Sequence, residues 1–210
     1  NGGQVFTGGY ALQSYEATLF AKDNTVIWNT YFLGIVAIAI VLVMGVIIAY
    51  LSVRKKNLLN SILDTVTMFP FIIPGSVLGI SFLFAFNSPP IVLSGTALIM
   101  IISFAIRRMP YTVRSSVAAL GQISKNVEEA AISLGASDLT TFRRITLPMM
   151  MPGVLAGAIM SWVTIISELS SSIILYTTAN QTLTVSIYTE VIRGNYGNAS
   201  AYATILALTS

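Results

Sequence analysis

An all-α, polytopic bundle of transmembrane helices is the fold class this chain predicts, and two observations carry the prediction. Of its 210 residues, 55% are hydrophobic and only 9% charged, where soluble domains carry about 25% charged residues. The uncharged residues also gather into long runs bounded by arginine and lysine, several close to the ~20 residues a helix needs to cross a bilayer. The chain has no cysteine and no histidine. The usual ligands for zinc, haem and iron–sulfur clusters are therefore missing, as are thiol and imidazole catalysts, so neither a metal site nor a catalytic site is expected.

Residues 1–27 are rich in Gly, Tyr, Thr and Asn, and have no basic start followed by an apolar run. They read as an external linker rather than a signal peptide. The membrane module follows over 28–210. Its first span is Tyr31 to Val53, closed by Arg54, Lys55 and Lys56. From Thr65 to Ile106 no charge occurs, and Asn87-Ser88-Pro89-Pro90 divides the stretch into two spans joined by a hairpin. The earlier of these holds Pro70, Pro74, Gly75 and Gly79, which predicts a bent helix packed inward. The later one, ending at Ile106, is short, and Arg107 and Arg108 extend it by snorkelling to the headgroups. A fourth uncharged run covers Ile145 to Ser167, its helix starting near Pro152, where proline is tolerated. Ser170 to Gly197 is polar and external, with a short helix over Leu183 to Arg193. A fifth span begins near Ala199 and is cut off by the end of the chain.

Alternating these spans places nine of the eleven basic residues on one side, which the positive-inside rule makes cytoplasmic. Lys22 and Arg193 fall outside, together with the N-terminal segment. Topology thus accounts for the net charge of +3, and no nucleic-acid partner is expected.

Residues 109–150 form the longest cytoplasmic segment. Val127, Ala130, Ala131 and Leu134 recur at helical spacing and predict a small apolar face opposite Lys125 and Glu128. Gly135 ends that helix. Ser137 is a suitable N-cap for a second short helix, with Asp138 in its first turn and Arg143 and Arg144 in its last, and Pro148 marks where this helix gives way to the span. From periodicity alone, the two helices could simply lie on the headgroups.

Between Glu129 and Pro148 the chain reads Glu-Ala-Ala, three residues, Gly, nine residues, Ile, one residue, Leu-Pro. Glu129, Ala130, Ala131, Gly135, Ile145, Leu147 and Pro148 resemble the EAA loop of ABC-importer permeases at every fixed position. In that family the loop supplies a coupling helix that docks on a cytoplasmic ATPase. The order of features from Trp28 to Ser210 is similar to the type I permease module. Asp64 to Gly79, Glu168 with its serines, and Thr182 to Tyr188 look most like the C-terminal half of fused ferric-iron permeases, in which two such modules face each other.

The resemblance implies a multi-pass permease of the bacterial inner (plasma) membrane that moves a small solute, ferric iron first, into the cytoplasm. Thiamine, phosphonate, sulfate and polyamine are the cargoes of close relatives. The implied partners are a dimer of ABC ATPase subunits, a second permease half on the same or another chain, an external solute-binding protein and membrane lipid. The chain contains no Gly-x-x-x-x-Gly-Lys-Ser/Thr phosphate loop, so it is not expected to hydrolyse ATP by the usual P-loop route; the resemblance implies a transport subunit rather than an enzyme, with no cofactor of its own and the ATP used by its partner. An ion-coupled secondary transporter or channel is the alternative of another class. It calls for charges near mid-membrane, of which the predicted spans are almost bare.

Glu168 is the acid nearest a span interior, about 24 Å along the helix from Pro152 at 1.5 Å per residue. It reads either as a pathway residue or as a partly solvated carboxylate at the outer headgroups. Ser167, Ser170 and Ser171, with Ser172, either line an outer gate or cap the helix end. Ser76 and Ser81 are weaker pathway candidates. The Gly75/Gly79 and Gly153/Gly157 pairs read as packing faces, and Met149, Met150 and Met151 as gap-filling or interface residues.

Overall fold

The computed structural model describes residues 13–19, 25–55 and 57–210. Among them every regular element is helical: α1 (Gln13–Leu19), α2 (Thr25–Arg54), α3 (Leu58–Ile72), α4 (Gly75–Ala85), α5 (Ala97–Gly121), α6 (Lys125–Ser133), α7 (Asp138–Thr141), a π-helical turn (Phe142–Thr146), α8 (Leu147–Ile166), α9 (Ser172–Leu175), a 3-10 turn (Thr178–Asn180), α10 (Leu183–Ile192) and α11 (Tyr196–Thr209). Most of the expected linker, and Lys22 and Lys56, lie outside the described residues. The part of residues 1–27 that is described is helical, in α1 and the start of α2, and is not a loop.

Three expectations about the spans change. Residues 65–86 do not form one bent helix. α3 and α4 are separate helices turned by 109°, with Ile73 extended (φ −74°, ψ 129°) immediately before Pro74, as the steric demand of the proline ring on its predecessor requires. The span expected to end at Ile106 starts later and runs on. α5 carries Arg107, Arg108 and Pro110 in its interior and reaches Gly121, so residues 109–121 belong to a helix and not to a loop. The arginines therefore do not close a span.

The fourth span does not start at Pro152. Helix is continuous from Asp138 to Ile166, and Pro148 and Pro152 lie within it. A proline ring collides with the carbonyl four residues back and offers no donor. Just before Pro148 the chain widens into the π turn, where the N–H of Leu147 reaches the carbonyl of Phe142, five residues back. That extra residue per turn relieves the collision without breaking the helix. By length and apolarity, α2 and the 138–166 helix qualify as spans among the described residues, with the bent α3–α4 pair as a third. α5 is long but charged, and α11 has 14 residues.

The chain divides into two compact units. One holds residues up to Ile35, Gly75–Ile101 and Ile166–Ser210. Here α2 is tied to the polar segment before α10. The Asn29 amide donates to the carbonyls of Ala179 (2.9 Å) and Gln181 (3.3 Å), and the Thr30 hydroxyl accepts from the N–H of Leu183 (2.8 Å), capping the first turn of α10 from another helix. Gly79 packs on Ile174: a Cβ there would lie 3.1 Å from the Ile174 Cβ.

The other unit holds Val36–Pro74 and Ile102–Ile165. Its core gathers Ala49, Leu120, Ile123, Met150 and Val154. Of the three consecutive methionines, Met150 fills this core, Met151 packs against it and Met149 is exposed. α5 and α8 run antiparallel along a stripe of small residues. A Cβ on Gly153 would lie 2.4 Å from the Ala119 Cβ, and one on Gly157 would lie 2.8 Å from Thr112 Cα. Hydrogen bonds run beside these contacts: Ser115 Oγ donates to the Gly153 carbonyl (2.5 Å), the Thr112 and Ser161 hydroxyls pair at 2.9 Å, and Ser161 Oγ donates to the Arg108 carbonyl (3.1 Å). The contact runs along α5 on both sides of Pro110, which lies inside the helix.

The same contact makes a test. Gly153→Ala in the full-length permease is expected to lower its thermal midpoint in detergent, consistent with overpacking of about 1–3 kcal/mol. Ala119→Gly in the same chain should recover part of the loss. An unchanged midpoint for Gly153→Ala would contradict the close approach.

Candidate functional site

The site is the segment from Ser124 to Pro148. Ser124 caps α6, accepting from the N–H of Asn126 at 3.3 Å. The far end is closed by a paired motif: the N–H of Ala136 reaches the carbonyl of Ala131 (3.1 Å) and that of Gly135 the carbonyl of Ile132 (2.9 Å). Gly135 has φ +92°, a left-handed conformation that favours glycine and is the usual way to end a helix with this bonding. Ser137 begins the next helix as expected, its hydroxyl accepting from the N–H of Thr140 at 3.3 Å.

Most of the small apolar face of α6 is turned outward. Val127, Ala130 and Leu134 point outward, Leu134 being 90% exposed. The residues turned inward are Ala131 and Glu128. Both carboxylate oxygens of Glu128 accept from Arg54 Nε, at 3.0 and 3.1 Å, and one also accepts from Thr146 Oγ1 at 2.9 Å. Arg54 in turn donates through Nη2 to the Ile123 carbonyl at 2.9 Å. The side chains of Arg54 and Glu128 are 8% and 12% exposed. A hydrophobic-period argument assigns a glutamate to the water side, but this one has an arginine waiting at the end of α2. Charge-assisted bonds of this kind are about twice as strong as neutral ones.

The seven motif residues divide between exposed and covered positions. Glu129, Ala130, Gly135 and Pro148 are exposed, while Ala131 is buried and Ile145 and Leu147 are half-buried. Leu147 packs against the Ala49–Met150 core. Exposed apolar side chains of Val127, Ile132, Leu134 and Leu139 lie along the same segment. Tyr50 on α2 meets Phe142 of the π turn edge to face, centroids 4.9 Å apart. The sequence reading names Arg54 as the close of a span and Glu128 as opposite an apolar face, and assigns neither of them, nor Thr146, to the site. The doubled acid at 128–129 was the one available signal, and it did not say which of the two turns inward.

The candidate pathway residues are not gathered on one surface. Glu168 lies just beyond α8 and is 4% exposed, so it is not a partly solvated headgroup carboxylate. Its Oε1 accepts from the N–H and hydroxyl of Ser171 (3.2 and 3.4 Å), and its carbonyl accepts from the hydroxyls of Ser172 (2.8 Å) and Thr184 (2.9 Å). Ser171 and Ser172 are buried with it, whereas Ser167 and Ser170 are exposed. Ser76 and Ser81 are also exposed, and the Ser81 hydroxyl bonds back to the Val77 carbonyl. A fixed carboxylate whose hydrogen bonds are internal suits holding the turn after α8.

The family described as binding-protein-dependent transport system inner membrane component matches residues 41–210. The chain is 36% identical over 178 residues to the ferric transport system permease protein FbpB of Actinobacillus pleuropneumoniae, a match covering 85% of this chain and 26% of that protein. It is 27% identical over 203 residues to a protein of Salmonella paratyphi A described as a 2-aminoethylphosphonate transport system permease, PhnV, covering 96% of this chain and 76% of that one. In fold it is similar to a chain of a bacterial ABC transporter involved in the import of the acidic polysaccharide alginate, with a TM-score of 0.76 at 16% identity over 96% of this chain and 80% of the other. With four-fifths of its length matched, an all-helical fold and an EAA-type loop presented on α6, the chain belongs to the inner membrane permease family of the binding-protein-dependent ABC importers.

Proposed function

We propose that this chain is one permease half of an ATP-driven importer, passing ferric iron from an external binding protein into the cytoplasm. The observation that carries the reading is the outward face of α6. Glu129, Ala130 and Leu134 stand exposed on a helix whose opposite side is bonded into the bundle. A surface of this kind is suited to receive a partner and to pass on its movement. That partner is a P-loop ATPase, because the chain has no phosphate loop of its own. Small residues at Ala130 and Gly135 permit close approach, and the exposed Leu134 and Leu139 supply apolar area to the joint.

The loop side is cytoplasmic in this reading. With Arg107, Arg108 and Arg114 inside α5, the orientation rests on Arg54, Lys55, Lys125, Arg143 and Arg144, which all lie at that end. The polar segment before α10 is then external. Ferric iron is the preferred cargo because the 36% identical relative is named for it. The phosphonate relative matches at lower identity and supplies the rival cargo. ATP binding closes the ATPase pair, the loop moves with it, and the bundle alternates between outward and inward openings.

Two measurements on the full-length protein test this. Co-expressed with the ATPase and binding protein of its own system, the permease should copurify with the ATPase and, in proteoliposomes, take up Fe(III) in preference to 2-aminoethylphosphonate. Reproducible absence of the ATPase would favour an ion-coupled carrier or channel, and the reverse cargo preference would remove the iron assignment. Gly135→Val should depress uptake about tenfold or more. A Cβ at that position meets nothing within 4 Å, so the harm comes from the backbone, where a left-handed conformation costs a non-glycine residue roughly 1–2 kcal/mol. Gly135→Asn, which tolerates that conformation, should keep much more activity; equal loss in the two variants would point to contact instead.

A further inference from the structure

We infer that Glu128, with Arg54 and Thr146, is the linkage through which movement of the docking loop reaches the membrane helices. This rests on the reading of α6 as the ATPase-facing helix and assigns its other face a separate task.

Three elements meet at one carboxylate. Arg54 is the last residue of α2. Ile123, whose carbonyl holds the same guanidinium, lies in the turn before α6. Thr146 closes the π turn that feeds α8. A displacement of α6 therefore pulls on α2 and α8 together. Burial gives the joint its stiffness, since little water is at hand to replace a stretched bond. A second ion pair among the described residues of this unit is a useful contrast. Arg114 and Asp64, 3.1 Å apart, join only α3 and α5 and have side chains 47% and 27% exposed, so water can substitute for either partner.

The π turn contributes to the same joint. Its added residue changes the helical register between Phe142 and Leu147, so that Thr146 meets Glu128 while Leu147 packs in the core. Turns of this type occur often at functional positions. Glu129, one residue on, stays exposed. Adjacent acids on α6 thus divide the work, one facing the partner and one fastening the helix.

Separation of docking from transport tests the inference, in the full-length permease with its ATPase and binding protein in proteoliposomes. Glu128→Gln should still copurify with the ATPase and still turn over ATP, while solute carried per ATP falls about tenfold. Thr146→Val removes a single hydroxyl and leaves the ion pair, and should lower the same ratio about two- to threefold. Thr146→Ser keeps the donor and should restore it. Wild-type ratios in both Glu128→Gln and Thr146→Val would overturn the inference, as would loss of the ATPase from Glu128→Gln, which would make Glu128 part of the docking face. If Glu128→Gln does not fold, the Thr146→Val and Thr146→Ser pair decides alone. Failure of the unaltered permease to hold an ATPase would instead defeat the underlying function.

Discussion

One buried carboxylate fixes the geometry of the loop. α6 has nine residues, well below the 12–15 or so at which an isolated helix is even marginal in water. It also gives little apolar surface to the bundle, because its larger hydrophobic side chains face out and only Ala131 turns in. What holds it is polar: a serine cap at one end, the glycine-closed pair of backbone bonds at the other, and Glu128 in between. Removing one partner of a buried ion pair typically costs about 3–5 kcal/mol, because the survivor is left desolvated and alone. For a helix with so few other attachments, that pair is its charged fastening to the end of α2.

The bundle beneath depends on close approach rather than on hydrophobic driving force. Lipid is as apolar as the side chains it would replace, so helices in a membrane associate through packing and through hydrogen bonds between them. Gly153 and Gly157 bring α8 onto Ala119, Ser115 and Thr112 of α5, and the hydroxyls of Ser115, Thr112 and Ser161 bond across the contact. The same neighbours allow prolines inside helices. Pro110 sits in the middle of α5 without ending it, whereas Pro74 coincides with a real break, the backbone before it being extended.

Much of the architecture was legible along the chain. The uncharged run before Arg54 gave α2, Gly135 and Ser137 gave the boundary between α6 and α7, and Leu183 to Arg193 gave α10 to within a residue. The departures have separate physical reasons. Arg107 and Arg108, expected to extend a short span by snorkelling to the headgroups, lie inside α5, which runs on to Gly121. Pro152 was read as a helix start because the preceding π turn, which accommodates Pro148, is a matter of backbone register that no residue type announces. The apolar spacing sets Glu128 opposite a small apolar face and leaves open which of the two faces is covered.

By itself the sequence determined the family, the helical class and the seven-position loop, since all three are written in contiguous runs and short fixed spacings. Only the tertiary structure decided that Glu128 turns inward while Glu129 turns outward, that Thr146 joins Glu128 to the start of α8, and that Glu168 is buried among serines. The reason is distance along the chain. Arg54 lies 74 residues from Glu128, and a residue's choice between solvent and partner is settled by where that partner's helix ends.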